Sequence, residues 1–186
     1  MDSIIEVVRC FENSNIIHVD GVINPINDIE IIELELIYAD LETVSKRRER
    51  VKKQLKADKS LIKEYLILEK IEKTLNEGKS ARSIEFTKEE KEIIKGLHLL
   101  TLKPLMYVAN VDEETIQNPE SNENFKKVKQ YAESQNAKVI PICVKLEEEI
   151  SSIESEEERK EFLEMMGLDK SGLDKLIIAS YDILGL

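Results

Sequence analysis

Two side chains that could hydrogen-bond to the edge of a ring in a bound ligand follow an apolar segment in the middle of this sequence. Asn110 comes directly after the run Pro104–Ala109, and Glu113 lies three residues further on. An amide both donates and accepts hydrogen bonds, whereas an ionised carboxylate only accepts, so together they could recognise a ring that carries N–H groups. The same two residues could instead form an ordinary turn at a strand end, because Asn favours turns.

The segments around these residues predict strands that alternate with helices. Ile4–Phe11, Pro104–Ala109 and Val139–Val144 are short and mostly apolar, and we expect the first of them to be a largely buried strand. Helices are predicted over residues 121–135 and 147–166, and a last helix is predicted from Ser171, with an apolar stripe along one face. Alternation of this kind is typical of an α/β fold with a parallel sheet.

The fold class places the ring-reading residues at one edge of the sheet. Ligands of parallel α/β sheets bind at the carboxyl ends of the strands. Residues 9–18, 110–113 and 143–145 all lie at the carboxyl ends of predicted strands, so we expect them to form one binding site. The candidate contact residues in the second and third segments are Asn110, Val111, Glu113, Cys143 and Val144.

A long helical segment separates the first two predicted strands. From Leu34 to Leu55, apolar residues recur at alternating steps of three and four, interrupted by Arg48, and a second apolar stripe runs from Leu61 to Leu75. This spacing is typical of a coiled-coil seam. It predicts an antiparallel helical hairpin within an inserted domain at residues 28–97, between the two parts of one α/β domain at residues 1–27 and 98–186.

Charge and composition narrow the classes of partner. The 186 residues are 41% hydrophobic and carry a net charge of −11, which argues against a general polyanion-binding surface. Residues 46–56 break this trend with seven Lys and Arg against one Glu. That patch is either a solvated helix face or a local contact for RNA phosphates. The candidate RNA contacts are Arg47, Arg48, Arg50, Lys52 and Lys53.

Other features predict a soluble, cytoplasmic protein. No apolar stretch reaches the roughly 20 residues that a membrane span needs. Cys10 and Cys143 each lie in an apolar run, so we expect buried thiols and no disulfide framework. No metal site is predicted, because the potential ligands are not clustered.

The Asn110–Glu113 segment resembles the Asn-Lys-x-Asp motif with which GTPases read guanine. Four further stretches strengthen the resemblance, in order and in spacing: they are VVRCFENSNIIHVDG from Val7, TLKPLMYVANVDE from Thr101, KVIPICVKLEEEI from Lys138 and FLEMMGLDKSGLDKL from Phe162. Together they resemble the YchF/Obg-like ATPase family over essentially the whole chain.

This resemblance implies a P-loop nucleotide hydrolase of the translation-factor class with a coiled-coil insertion. It further implies association with the ribosome, through the large subunit or ribosomal RNA at the basic hairpin tip, and ATP or GTP with Mg²⁺ as the bound cofactor. Glu113 stands where guanine-reading members of the wider class have Asp. His18 matches the loop histidine proposed in this family to position the attacking water, a role that imidazole can perform near neutral pH.

The sequence departs from the family pattern in its phosphate-binding half. It contains no Gly-x-x-x-x-Gly-Lys-Ser/Thr motif that could hold the β- and γ-phosphates, and no Asp-x-x-Gly segment before the first strand to bind Mg²⁺. We therefore expect an internal fragment that lacks the P-loop and the C-terminal TGS domain and cannot hydrolyse nucleotide alone. The alternative is a non-catalytic coiled-coil interaction module built on half an α/β domain.

Overall fold

The computed structural model describes residues 2–11 and 23–186, and their strands and helices alternate as an α/β fold. The strands are β1 (Ile4–Arg9), β2 (Leu105–Asn110) and β3 (Lys138–Ile142). The helices are α1 (Pro25–Gln54), α2 (Ile62–Asn76), α3 (Lys88–Ile94), α4 (Glu123–Ser134), α5 (Val144–Ser152), α6 (Glu156–Met165) and α7 (Gly172–Leu184). Short 3₁₀ turns lie at Lys59–Leu61, Ala81–Ser83, Lys95–Leu97, Leu100–Leu102 and Pro119–Ser121.

The chain divides into two compact units. The sheet unit comprises residues 1–29 and 104–186, and the helical unit comprises Glu30–Lys103. Helix α1 begins in the sheet unit and continues in the helical unit.

The three strands form one parallel sheet in the order β1-β2-β3, as the alternation of elements predicted. Ile4 lies opposite Leu105, and Asn110 lies between Arg9 and Ile142, so the three carboxyl ends are level. The central strand is buried from Leu105 to Ala109. Pro141 is in β3, at the edge of the described sheet. Its missing N–H removes the fewest hydrogen bonds between strands at that position.

The expectation that the first strand is largely buried is wrong for one of its faces. Ile5 and Val7 are 40% and 63% exposed, whereas Val8, on the opposite face, is 3% exposed. The reason is positional, because β1 pairs only with β2 among the described residues and is therefore an edge strand. Its buried face joins a core with β2 and α4 in which Tyr107 packs edge-on against Tyr131, with ring centroids 6.1 Å apart.

Helices α1 and α2 share an apolar core in the helical unit, as their two stripes predicted. Its members are Ile37, Val44, Val51, Ile67, Leu68, Ile71 and Leu75. Leu34 was predicted to begin this seam, but its side chain is 43% exposed. Arg48, which interrupts the seam, forms an ion pair with Glu72 on α2, so its charge is neutralised where a hydrophobic residue would otherwise stand.

Helix ends in both units are capped by side-chain hydrogen bonds. Thr87 and Glu90 form a reciprocal capping box at the start of α3, and the Ser171 hydroxyl accepts from the backbone N–H of Asp174 in α7. Asp40, 2% exposed, is held within the helical unit by accepting from the backbone N–H groups of Leu100 and Thr101.

One expectation for the C-terminal region is wrong. The single helix predicted over residues 147–166 is the pair α5 and α6, because Ser155 caps a new helix by accepting from the N–H of Glu158. The apolar stripe of α7 is not buried, and Ile177 and Tyr181 are 46% and 57% exposed. Among the described residues, no helix is both long enough and apolar enough to cross a membrane.

Candidate functional site

A cavity of about 630 Å³ lies at the carboxyl edge of the sheet. Phe11, Asn110 and Cys143, at the ends of β1, β2 and β3, all line it. The level register of the strands brings these three segments together. The remaining lining residues are Val111, Asp112, Glu113, Glu114, Val144, Lys145 and Glu148.

Asn110 is anchored on both sides by hydrogen bonds. Its carbonyl oxygen accepts from the backbone N–H of Cys10 at 2.8 Å, and its side-chain Oδ1 accepts from the backbone N–H of Val144 at 3.3 Å. The central strand therefore holds the residue between the segments that follow its two neighbours. The orientation of the side chain is fixed by a loop more than thirty positions away in sequence.

The turn after Asn110 is also fixed by hydrogen bonds. Val111 is 1% exposed and donates its backbone N–H to the carbonyl of Ile142 at 2.9 Å. The Asp112 carboxylate accepts from the backbone N–H of Thr115 at 2.7 Å. These contacts fix the backbone on both sides of Glu113. The position of the Glu113 side chain is therefore set by the turn as well as by the contacts of its own carboxylate.

Glu113 forms an ion pair with Lys145. Its Oε1 lies 2.6 Å from Lys145 Nζ, and the two side chains are 40% and 72% exposed, respectively. The hydrogen bond that Lys145 donates to this carboxylate, and next the negative charge of the carboxylate, raise the pKa of Lys145 above its ordinary value. The sequence places Lys145 at the site but does not indicate this role, because the pairing joins the turn after β2 to the first turn of α5, which is distant in sequence.

Cys143 and Val144 form the third side of the cavity. Cys143 is 3% exposed, and burial raises the pKa of its thiol, so the group is protonated near neutral pH. Burial also raises the pKa of Cys10, to about 12. Both cysteines are free and buried, as predicted. Val144 is half exposed and begins α5, so it offers an apolar surface beside Asn110.

Phe11 is a lining residue that sequence analysis did not select. Its ring lies 5.0 Å from the guanidinium carbon of Arg9, whose Nε also donates to the Phe11 carbonyl at 3.2 Å. A flat aromatic surface at the mouth of a cavity suits a planar ligand. Its position at the end of a predicted strand, within the segment 9–18 that was expected at the site, was the signal that could have identified it as a contact residue.

The electrostatics of the cavity favour a ring over a phosphate group. Asp112, Glu113, Glu114 and Glu148 line it, and Lys145 is the one cationic side chain among the described lining residues. Four carboxylates repel a polyphosphate, whereas an uncharged ring with N–H donors finds acceptors there. The described residues contain no group of three or more His, Cys, Asp or Glu side chains arranged to hold a metal ion.

The catalytic candidate His18 lies outside the residues that the structure describes. Its role therefore remains a prediction from the sequence.

The five basic candidates of the helical unit separate into two kinds. Arg47 Nε lies 2.6 Å from Glu64 Oε1, and Arg48 pairs with Glu72, so both hold α1 against α2. Arg50, Lys52 and Lys53 are exposed, and no ion pair involves them within residues 2–11 and 23–186. Of the five candidates, therefore, these last three carry charge that no carboxylate of the described residues neutralises.

No family model matches the chain, but individual proteins do. The chain is 51% identical over 187 residues to the "Ribosome-binding ATPase YchF" of Bacillus subtilis (strain 168) and 41% identical over 186 residues to the protein of that name in Escherichia coli O157:H7. The two matches cover all of this chain and 51% and 50%, respectively, of the lengths of those relatives.

A solved structure shows the same likeness. The Schizosaccharomyces pombe YchF GTPase matches 98% of this chain with a TM-score of 0.84 and 35% identity. Half of that chain is covered. The present chain thus spans about half the length of each relative that it matches.

Proposed function

This chain corresponds over its whole length to about half of a YchF-family protein, and from that premise we propose that it is the base-reading half of a ribosome-associated nucleotide hydrolase. The observation that carries the proposal is the cavity at the carboxyl edge of the sheet, where Asn110 and Glu113 stand side by side. Relatives are named both as an ATPase and as a GTPase, so the bound nucleotide is proposed as ATP or GTP.

A purine base fits the chemistry of this cavity. The Asn110 Oδ1 atom is already bonded to the loop after β3, which leaves its amide N–H groups to donate to ring nitrogen or carbonyl acceptors. Glu113 accepts from N–H groups of the base. The ring of Phe11 and the side chain of Val144 offer apolar contact for the faces of a planar ring. Val111 and Cys143 complete the wall.

Phosphate binding and hydrolysis require groups that this sequence does not contain. Phosphoryl transfer depends on positioned phosphates and Mg²⁺, and the residues of the cavity suit neither. We therefore propose that Mg²⁺ is held by other segments in a longer protein and that this chain alone is inactive. His18 is the candidate for positioning the attacking water there, because it follows β1 in the sequence and matches the loop histidine to which the family resemblance assigns this role.

We propose that the helical unit supplies the ribosome contact. Arg50, Lys52 and Lys53 are exposed near the end of α1, where they can reach phosphates of ribosomal RNA in the large subunit. Arg47 and Arg48 contribute by holding the two helices together. In this proposal residues 28–97 are a coiled-coil domain inserted into a nucleotide-binding domain at 1–27 and 98–186, and the protein acts in the cytoplasm, with ribosomes.

The alternative function is a non-catalytic interaction module. The absence of a phosphate-binding motif from the sequence favours it, and so does the edge strand β1, whose Ile5 and Val7 are exposed. An edge strand of this kind invites self-association through main-chain pairing. Light scattering over a range of concentrations tests this, because a sharp monomer at high concentration contradicts it.

An NMR titration of the isotopically labelled chain separates the two functions. Addition of ATP or GTP is expected to shift the backbone amide signals of Asn110, Val111 and Val144, with weak affinity, and to leave the signals of the helical unit unchanged. Release of phosphate is measured on the same sample and is expected to be absent. No shift at the cavity with either nucleotide rejects the base-reading function and favours the interaction module.

A further inference from the structure

A second cavity, of about 440 Å³, is formed entirely by residues of the helical unit. Its rim is basic and its floor is apolar, with the floor made by Ile84, Phe86, Ile94, Leu99 and Leu102. We propose that this cavity binds an acidic peptide segment of a partner protein. A large apolar side chain of the peptide packs on the floor, and the carboxylates on either side of it contact the rim.

The apolar floor continues the core of the helical unit. Ile94 and Leu99 are 3% and 2% exposed and belong to that core, whereas Ile84, Phe86 and Leu102 pack against it and are only partly buried. The hydrophobic effect favours an apolar group that covers such a surface, roughly in proportion to the area removed from water. The cavity volume also lies in the range of about 300–1,000 Å³ that is usual for ligand pockets.

The rim carries four cationic side chains against one carboxylate. The cations are Arg82, Lys91, Lys95 and Lys103, and the carboxylate is that of Glu92. Lys95 lies 3.7 Å from Glu92, whereas Lys91 and Lys103 have no ion pair in the part of the chain that the structure describes. In a chain with a net charge of −11, this is a local excess of positive charge, which complements a negatively charged partner.

Hydrogen bonds hold the segments around the cavity in place. Asp40 accepts from the backbone N–H of Thr101 at 2.8 Å, and Thr101 Oγ1 accepts from the backbone N–H of Ala81 at 3.0 Å. Arg82 Nη1 donates to the carbonyl of Lys103 at 3.2 Å. A ligand does not have to order these segments when it binds, and this preorganisation favours affinity.

His98 adds a polar group to the rim from a costly backbone conformation. It follows the 3₁₀ turn Lys95–Leu97 with a φ of 51°, in the left-handed region that few residues other than glycine adopt. Residues held in such conformations cluster at binding sites. His98 is exposed and lines the cavity, so its ring can hydrogen-bond to the backbone or side chains of a bound peptide.

An acidic peptide fits this combination better than RNA does. RNA phosphates would engage the cations but would bury nothing on a mostly aliphatic floor, and bases stack on flat aromatic surfaces. The one aromatic side chain of the floor is Phe86, and Lys70 Nζ already lies over its ring, 5.5 Å from the centroid. The rim cations come from several segments, so a peptide with carboxylates along its length contacts more of them than a compact anion does.

Titration of the 186-residue chain with short synthetic ligands tests the proposal. One peptide has a phenylalanine between runs of glutamate, a second has serine in its place, and an RNA oligonucleotide carries the same net charge. The phenylalanine peptide is expected to shift the amide NMR signals of Ile94, Lys95 and Leu99. The serine peptide is expected to bind about tenfold more weakly, because it buries no apolar group. Equal binding of both peptides, or tighter binding of the RNA at these residues, would overturn the proposal.

Substitutions on the rim test the role of its charges. Lys91→Gln with Lys95→Gln removes two cations, so affinity for the phenylalanine peptide is expected to fall about fivefold and to depend less on salt. Lys73→Gln with Lys79→Gln is the matched control, because both residues are exposed in the same unit and neither lines the cavity. Thermal unfolding shows that each variant is folded. Equal losses in the two variants would mean that only the total charge matters, which rejects the cavity as the binding site.

The same titration on a longer protein that contains this chain distinguishes a partner from another segment of the same protein. The peptide is expected to bind both proteins at the same residues. Binding to the 186-residue chain alone would mean that a further segment of the longer protein covers the cavity, and the assignment to a partner would fail. The base-reading function does not depend on this result, because its cavity is lined by other residues.

Discussion

The side-chain oxygen of Asn110 accepts a hydrogen bond from the backbone N–H of Val144 at 3.3 Å, which links the end of β2 to the start of α5. One side chain thereby connects the two segments that supply Glu113 and Lys145. The two segments are therefore joined by this hydrogen bond as well as by the ion pair.

Replacement of Asn110 is expected to weaken base binding with little effect on folding. Asn110→Ala removes the link to Val144 and the free amide donors, and each hydrogen bond of this kind contributes about 1 kcal/mol. We expect nucleoside affinity to fall about tenfold by NMR titration. Asn118→Ala is the control, because Asn118 is exposed and its side chain makes no capping bond. Equal affinities in the two variants would remove Asn110 from the site.

Shortening Glu113 is expected to move base preference toward guanine. In Glu113→Asp the shorter side chain moves the carboxylate away from Lys145. The side chain then has the same length as the Asp of guanine-binding motifs, so its carboxylate is free to accept from two N–H groups. The relative affinities for ATP and GTP are measured in a longer protein that also carries the phosphate-binding segments. Unchanged relative affinities would show that position 113 does not determine the base.

His18→Ala is expected to slow nucleotide hydrolysis in that longer protein while leaving nucleotide affinity nearly unchanged. A group that orients or deprotonates water contributes about 10²–10⁴-fold to the rate. Single-turnover hydrolysis and nucleotide binding are measured on the same preparation, so that a loss of binding is not mistaken for a loss of chemistry. Normal hydrolysis in the variant rejects the assignment of His18.

Charge reversal in the helical unit is expected to separate ribosome binding from folding. Arg50→Glu with Lys53→Glu changes exposed residues without an ion partner in the described part of the chain, so it should weaken ribosome association and flatten its dependence on salt. Arg47→Glu instead opposes Glu64 and should lower the thermal unfolding midpoint. Sedimentation with ribosomes at several salt concentrations measures the first effect. An unaltered salt dependence contradicts the proposed phosphate contacts.

Gly172 is expected to tolerate no side chain. A Cβ there would meet Glu147 Oε1 at 2.9 Å and Ile142 Cγ2 at 3.0 Å, where Glu147 accepts from the backbone N–H of Gly172 at 2.6 Å. Gly172→Ala should therefore lower the free energy of unfolding by about 1–3 kcal/mol. Gly96→Ala is the control, because nothing lies within 4 Å of its added Cβ. Denaturant unfolding measures both, and equal stabilities would mean that the Glu147 contact adjusts freely.

The sequence predicted the elements that have a local signal and missed those that depend on distant partners. The capping box at Thr87 is contained in four residues, and the run before Asn110 is apolar throughout, so both could be identified. The pairing of Glu113 with Lys145 joins the turn after β2 to the first turn of α5, and no local pattern encodes it. The exposure of Val7 was missed because strand composition does not reveal whether a neighbouring strand covers an edge.

The register of the sheet also has a consequence for the order of folding. Ile4 pairs with Leu105, so β1 cannot acquire its partner until about 100 further residues have been synthesised. The helical unit, Glu30–Lys103, is complete before β2 emerges, and its core is built from contacts within that stretch. Long-range parallel pairing is intrinsically slow, whereas helical contacts of short sequence separation form quickly. During translation, therefore, β1 is secured only after the whole helical unit has been synthesised.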